Sequence, residues 1–268
     1  MEKLEHPLWI VEFVNWLLGP VVHSIGEKMG YQFTGHYVIP PYIVMCMLIV
    51  LFVTVMGLLV SRGLSVDNPG RIQIVFEDLI AAVIGLLDEW IGPKGRQFLP
   101  LVSTLGLFIL LGNYMGLVPG FMSPTSSINV TLGCAITIWV YYHFQGIKHQ
   151  GLWGYIKHFW APPGVHWSMG FLMFPIELIS HTSRMMSLSL RLFGNIFGEE
   201  LVILVLFSII PFLIPLPMMF LGLITGALQA FIFMLLSVIY LQGAVAVEHH
   251  EDEHGHDAPH GHQAPAAA

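Results

Sequence analysis

Apolar residues fall in long unbroken runs along this chain, not in the alternation of a half-buried strand or the narrow stripe of a soluble helix. Crossing a bilayer as a helix takes about 20 apolar residues. Five stretches meet that need: 38–60, 97–118, 129–146, the interrupted stretch 168–200 extended to 216, and 218–243. Four of them carry no charge, and the shorter 129–146 ends near Tyr142 and His143, where an aromatic belt at the interface would lie. Residues 72–91 look similar in composition but hold Glu77, Asp78, Asp88 and Glu89. Eleven residues make about three helical turns, so both acidic pairs share one face and aliphatic residues cover the rest. That segment predicts an amphipathic helix, at the interface or packed on other spans, that does not cross. The fold class is therefore all-α integral membrane, with five membrane-crossing helices plus one amphipathic helix.

The flanks read differently. Residues 1–36 form an N-terminal interfacial segment without the basic start and small-residue cleavage site of a removable signal peptide. Residues 37–243 form the membrane domain. The tail 248–268 has six His, five acidic residues and no aliphatic residue beyond Ala, so it cannot bury a core and is expected to be disordered. Its His249, His250, His254 and His256 are spaced for loose Zn²⁺ or Ni²⁺ binding; the plainer reading is a solvated tail.

Composition agrees with the runs. Of 268 residues 55% are hydrophobic and only 10% charged, against roughly 25% charged in a soluble domain. The net charge of −7 is weighted by the five tail acids, and nothing resembles a basic nucleic-acid patch. Cys46 and Cys134 both lie in apolar runs and read as small buried hydrophobes. Arg62, Arg71, Lys94 and Arg96 lie in the linker 61–96, and Lys148 and Lys157 in 147–167, whereas 119–128 has no Lys or Arg. Both basic segments share one side if the N-terminus is outside and the C-terminus inside. Lys3 and Lys28 count weakly against this.

Charge inside the fourth run needs a reason. Glu177, Arg184 and Arg191 are seven residues apart and form one stripe of a helix. His181 lies near that line, Asn195 and Glu199 continue it, and Glu200 points to the opposite side. Glu177 and Glu200 stand about 34 Å apart along a helix, close to the bilayer's thickness. Each ionised group at mid-membrane costs about 2.5–3.5 kcal/mol, so this set must face protein or water. Pairing could satisfy Glu177 with Arg184 but leaves Arg191 without a neighbouring acid, which points to a partner on another chain. An arginine cannot give up its proton. It can hold an opposing carboxylate ionised and repel cations, while glutamates and histidines pass protons along a wet cleft. A fixed cation between two acid-lined clefts makes two half-paths that need a moving carrier to join them.

At these residues, "SLSLRLFGNIFGEEL" (187–201), the chain closely resembles subunit a of the bacterial F-type (rotary) ATP synthase, the membrane Fo stator. "NYMGLVPG" with "PTSSINVTLG" (113–133) and "LQAFIFMLLSVIYL" (228–241) add to the likeness, which covers about 37–243. The resemblance implies that Arg191 faces the carboxylates of a rotating c-ring, with Asn195 and Gln229 near it. It implies an inlet half-channel lined by Glu200 and Glu199, and an outlet at Glu177 with His181 and Arg184 nearby. It further implies long, tilted last two helices, a peripheral stalk of subunit b, an F1 ATPase sector, and the cell inner membrane, with the C-terminus cytoplasmic. Some members carry a His on the last helix and a Gly beside the inlet glutamate; here Gly222 stands at the former position and Glu199 at the latter. No cofactor is implied, and no GxxxxGK[ST] phosphate loop is present, so nucleotide chemistry belongs to other subunits.

Two other classes compete. A proton-coupled secondary transporter or channel would typically show internal repeats and paired broken helices, and the charged helix has no second copy. A structural membrane anchor would not need three intramembrane acids.

Overall fold

The computed structural model describes residues 9–28, 37–65, 69–118, 120–160, 169–209 and 215–245. Among them the chain is helical with no strand. Its seven α-helices are α1 (Trp9–Lys28), α2 (Pro41–Arg62), α3 (Arg71–Trp90), α4 (Leu99–Met115), α5 (Ile128–Trp160), α6 (Gly170–Ile209) and α7 (Pro215–Val245). Short 3-10 turns, Pro93–Phe98 and Pro124–Ser126, lead into α4 and α5. The tail with His249, His250, His254 and His256 lies outside the described residues, as do Pro211 and the beginning of the predicted stretch at 168.

Four of these helices are long and apolar enough to cross a membrane: Pro41–Arg62, Pro93–Met115, Gly170–Ile209 and Leu216–Gly243. The expected fifth crossing, 129–146, forms the first half of α5 and is not among them. Its apolar run is diluted by Asn129, Thr131, Thr137, His143 and Gln145, and the helix continues into a polar segment as far as Trp160. The stretch whose apolar run is interrupted by charges is one helix from Gly170 to Ile209, 40 residues, or about 60 Å at 1.5 Å per residue. A hydrocarbon core is about 30 Å thick, so α6 either lies oblique or runs well beyond it.

Apolar side chains exclude each other's solvent in three places. The central core joins Ile109 of α4, Cys134, Ala135 and Ile138 of α5, Leu188, Leu192 and Ile196 of α6, and Ala230 and Phe233 of α7. A second joins Val83 and Leu87 of α3 to Phe98, Val102, Val238 and Leu241, so the acid-bearing helix packs on protein through its aliphatic face. A third packs Val11 of α1 on Ile39, Val44 and Met45. There Asn15 clamps the chain before α2: its amide donates to Ile39 O and its carbonyl accepts from Ile39 N, at 3.0 and 2.9 Å. On the outside, α2 exposes Val50, Leu51, Phe52, Leu58 and Leu59. A row of such side chains is stable against lipid or a partner, not water. The chain is a multi-pass membrane protein. Cys46 and Cys134 are both free, Cys134 within the central core.

Candidate functional site

The spacing of α6 decides which side chains enter the core. Leu188, Leu192 and Ile196 recur every four residues and are 0–4% exposed. Arg191 and Asn195 each lie one residue before a core position, about 100° round the helix, and both are exposed, as is Arg184. Among the described residues no ion pair is made by Arg191. Glu177 and Arg184, which pairing could have satisfied, form no ion pair with each other. Glu177 Oε1 lies 3.0 Å from His181 Nε2, and the Arg184 guanidinium sits over the Tyr240 ring at 5.9 Å. His181 is one turn from Glu177, about 6 Å along the axis, whereas Arg184 is two turns or about 10 Å away, and an aromatic face offers Arg184 a cation–π contact.

Helices α6 and α7 run antiparallel in a fixed register. Arg184 meets Tyr240, Asn195 donates to Gln229 Oε1 at 2.9 Å, and Thr225 Oγ1 donates to Glu199 Oε2 at 3.0 Å. Each step of eleven or four residues up α6 is matched by an equal step back along α7. By the same register Phe233 stands level with Arg191. Gln229 is buried while Asn195 is exposed, so this hydrogen bond carries the polar line from the interior to the surface that presents Arg191.

Beyond Asn195 the polar groups gather. A Cβ at Gly222 would collide with the Glu199 carboxylate, so the absent side chain on α7 makes room for the additional acid on α6. Glu200, on the other side of α6, accepts from the Ser123 backbone N–H at 3.0 Å. Behind Ser123 runs a buried hydroxyl chain. Ser123 Oγ lies 2.9 Å from Gly112 O and 2.7 Å from Thr125 Oγ1, and Thr125 Oγ1 lies 2.7 Å from Asn113 Oδ1. The Asn113 amide donates to Gly226 O of α7 at 3.0 Å, which fixes its orientation. Two hydroxyl protons must serve three contacts, so one contact lacks a proton at any moment and the assignment can exchange. Sequence reasoning did not single out Asn113, Ser123 and Thr125 individually. The signal was there, since all three lie in the stretch 113–133.

A second cluster occupies the other end of α6. His181 is buried, stacked on Tyr142 at 5.3 Å between centroids, and its ring centroid is 5.5 Å from that of His143. Beside it a cavity of about 20 Å³ is bounded by Tyr142, His181, Arg184 and Tyr240, room for a single water. Between His181 and Asn195, fourteen residues or about 21 Å along the helix, the interior facing α6 is mainly the central apolar core, with one buried hydroxyl pair, Thr131 and Ser189, 3.2 Å apart. The described residues thus hold two polar clusters separated inside by an apolar layer, and at the level of that layer an exposed guanidinium that makes no ion pair among them. Among the described residues no group of three or more His, Cys, Asp or Glu is arranged to hold a metal ion.

A sequence profile described as "ATP synthase A chain" matches residues 42–242. ATP synthase subunit a of Syntrophobacter fumaroxidans is 42% identical over 247 residues, 92% of this chain and 100% of that one. The subunit a proteins of Geotalea daltonii and Geobacter sulfurreducens are 41% and 40% identical over 244 residues, 91% of this chain and 99% of each. With a matched region spanning both polar clusters and the helix pair between them, the chain belongs to the ATP synthase subunit a family.

Proposed function

We propose that this chain is the proton-conducting stator of an F-type ATP synthase, a non-catalytic subunit that feeds protons to and from the carboxylates of a c-ring. The observation that carries the reading is Arg191, exposed and without an ion pair among the described residues, level with a dry layer that divides two polar clusters. Protons enter past Glu200 and Glu199, with Asn195 and Gln229 near the point of transfer, and neutralise a ring carboxylate. A neutral carboxyl turns through lipid at little cost, whereas an ionised one is held opposite the guanidinium. After nearly a full turn the proton leaves towards Glu177 and His181, with Arg184 beside that outlet. Each proton crossing 100 mV releases about 2.3 kcal/mol, so several must be summed by rotation to drive ATP formation on the F1 ATPase sector, held by a subunit b peripheral stalk. With the first half of α5 taken as a fifth crossing, the orientation is N-terminus outside and C-terminus cytoplasmic in the cell inner membrane, and the last two helices lie tilted along the ring.

The test is ATP-driven acidification of inside-out vesicles carrying the whole complex. Arg191→Ala abolishes acidification while the complex still assembles; undiminished pumping by that variant overturns the reading.

A further inference from the structure

The second half of α5 turns back on the first. Gly151 breaks the helix with φ 71°, a left-handed value that L side chains rarely adopt. The returning segment lays the Tyr155 ring on Gly146, where an added Cβ would lie 2.6 Å from a ring carbon. Tyr155 Oη then lies 2.6 Å from His143 Nδ1. The ring of His143 also lies near that of His181, centroids 5.5 Å apart, and His181 Nε2 is hydrogen-bonded to Glu177 Oε1. Four groups able to take up and release a proton therefore stand in sequence: Glu177, His181, His143 and Tyr155. Trp139, edge-on to His143 with centroids 4.2 Å apart, walls the row.

We infer that His143 and Tyr155 continue the outlet path beyond Glu177 and His181, so that the fold-back of α5 carries protons out of the stator as well as packing against it. The inference rests on reading Glu177 as the outlet acid. Glu177 gives its proton to His181, and His181, its ring centroid 5.5 Å from that of His143, passes one on through a bridging water. An imidazole that gains a proton on one nitrogen loses one from the other and returns to neutrality in the opposite tautomer. When His143 Nδ1 releases a proton to the Tyr155 oxygen, the hydroxyl passes its own proton outward, so no charge accumulates. Among the described residues, charged and titratable groups facing this row are Glu177 and Arg184 from α6, Tyr142 and Tyr155 from α5, and Tyr240 from α7.

The experiment measures passive proton conduction against pH in vesicles holding the intact complex, after the peripheral ATPase sector has been stripped off. His143→Gln keeps a side chain that can bond Tyr155 but cannot bind and release a proton. Tyr155→Phe keeps the ring on Gly146 and removes only the hydroxyl. His143→Gln is expected to lower conduction by about tenfold and to change the shape of its pH dependence, since a group that can bind and release a proton is lost from the path. Tyr155→Phe is expected to shift the midpoint of that dependence, and it decides the matter alone if His143→Gln fails to assemble. A merely structural His143 and Tyr155 would leave rate and pH profile at wild-type values in the assembled variants, which overturns the inference. Arg191→Ala, assayed alongside for ATP-driven acidification in unstripped vesicles, separates the two failures: if it still pumps, the stator reading falls; if it does not, and the two variants conduct normally, only the relay falls.

Discussion

Phe233 is the position at which the dry layer can be opened without touching a charged group. It is 1% exposed and packed among Ile109, Ile138, Leu188, Leu192 and Ile196, level with Arg191 in the α6–α7 register. Truncating a fully buried Phe to Ala costs about 3–5 kcal/mol, but the resulting hole is lined by aliphatic carbon and stays dry. Phe233→Asn differs in kind. It frees roughly the space of two waters at ~30 Å³ each and supplies an amide to hold them. Left unhydrated, that amide would cost about 1–3 kcal/mol, so water is drawn in and the two polar clusters become connected inside the subunit. The assay is passive proton leak in vesicles of the assembled complex, before and after the ring carboxylates are blocked with a carbodiimide. Wild-type conduction is lost on blocking because it needs the ring. Phe233→Asn is expected to show a leak that survives blocking, whereas Phe233→Leu shows none. A leak that blocking removes, or equal leaks in the Asn and Leu variants, would refute the idea that this layer is what separates the half-paths.

Three further outcomes follow from the geometry. Gly222→Ala drives a methyl group into the Glu199 carboxylate and breaks its bond to Thr225; ATP-driven pumping is expected to fall, and Glu199→Gly in the same chain to restore at least part of it by removing the collision. Thr125→Val leaves Asn113 Oδ1 buried without its donor and is expected to cost about 1–3 kcal/mol, read as a lower melting temperature of the purified complex, whereas Ser123→Ala keeps the backbone N–H that serves Glu200. The Arg96 guanidinium, by hydrogen bonding first and by charge second, holds Asp88 below the ordinary carboxylate range. A depressed acid contributes above its ordinary pKa and loses that contribution as pH falls through the lowered one. Protease cleavage near the junction of α3 and α4 is therefore expected to rise in Asp88→Asn at neutral pH, and in the wild type only under strongly acid conditions.

Much of the architecture was legible because lipid imposes a simple rule, that uncharged runs of sufficient length become helices. The all-helical membrane fold follows from it, and the amphipathic spacing of Glu77, Asp78, Asp88 and Glu89 marked a helix that packs by one face. The rule falters where a helix is shielded by neighbours. The segment 129–146 holds His143 and Gln145, which lower its hydropathy, and it keeps them out of lipid, His143 against His181 of α6 and Tyr155 of the returning end of α5 and Gln145 buried. Seven-residue periodicity placed Glu177, Arg184 and Arg191 on one line but did not foretell which groups would bond. Glu177 took the histidine one turn away, and Arg184 took a ring from α7, a residue 56 positions distant whose approach depends on the hairpin register. The hydroxyls of Ser123 and Thr125 lie in the stretch 113–133 that carries the family likeness, but nothing in the sequence links them to one another. Only the close approach of that loop to Glu200 and α7 turns them into a connected chain.

The most direct measurement is a density map of the intact complex at a resolution that shows side chains. The account predicts the Arg191 guanidinium facing a ring carboxylate within about 4–6 Å, with the Glu200 and Glu177 clusters opening to opposite aqueous faces. An Arg191 clamped by carboxyls of its own chain, turned away from any ring, would contradict it.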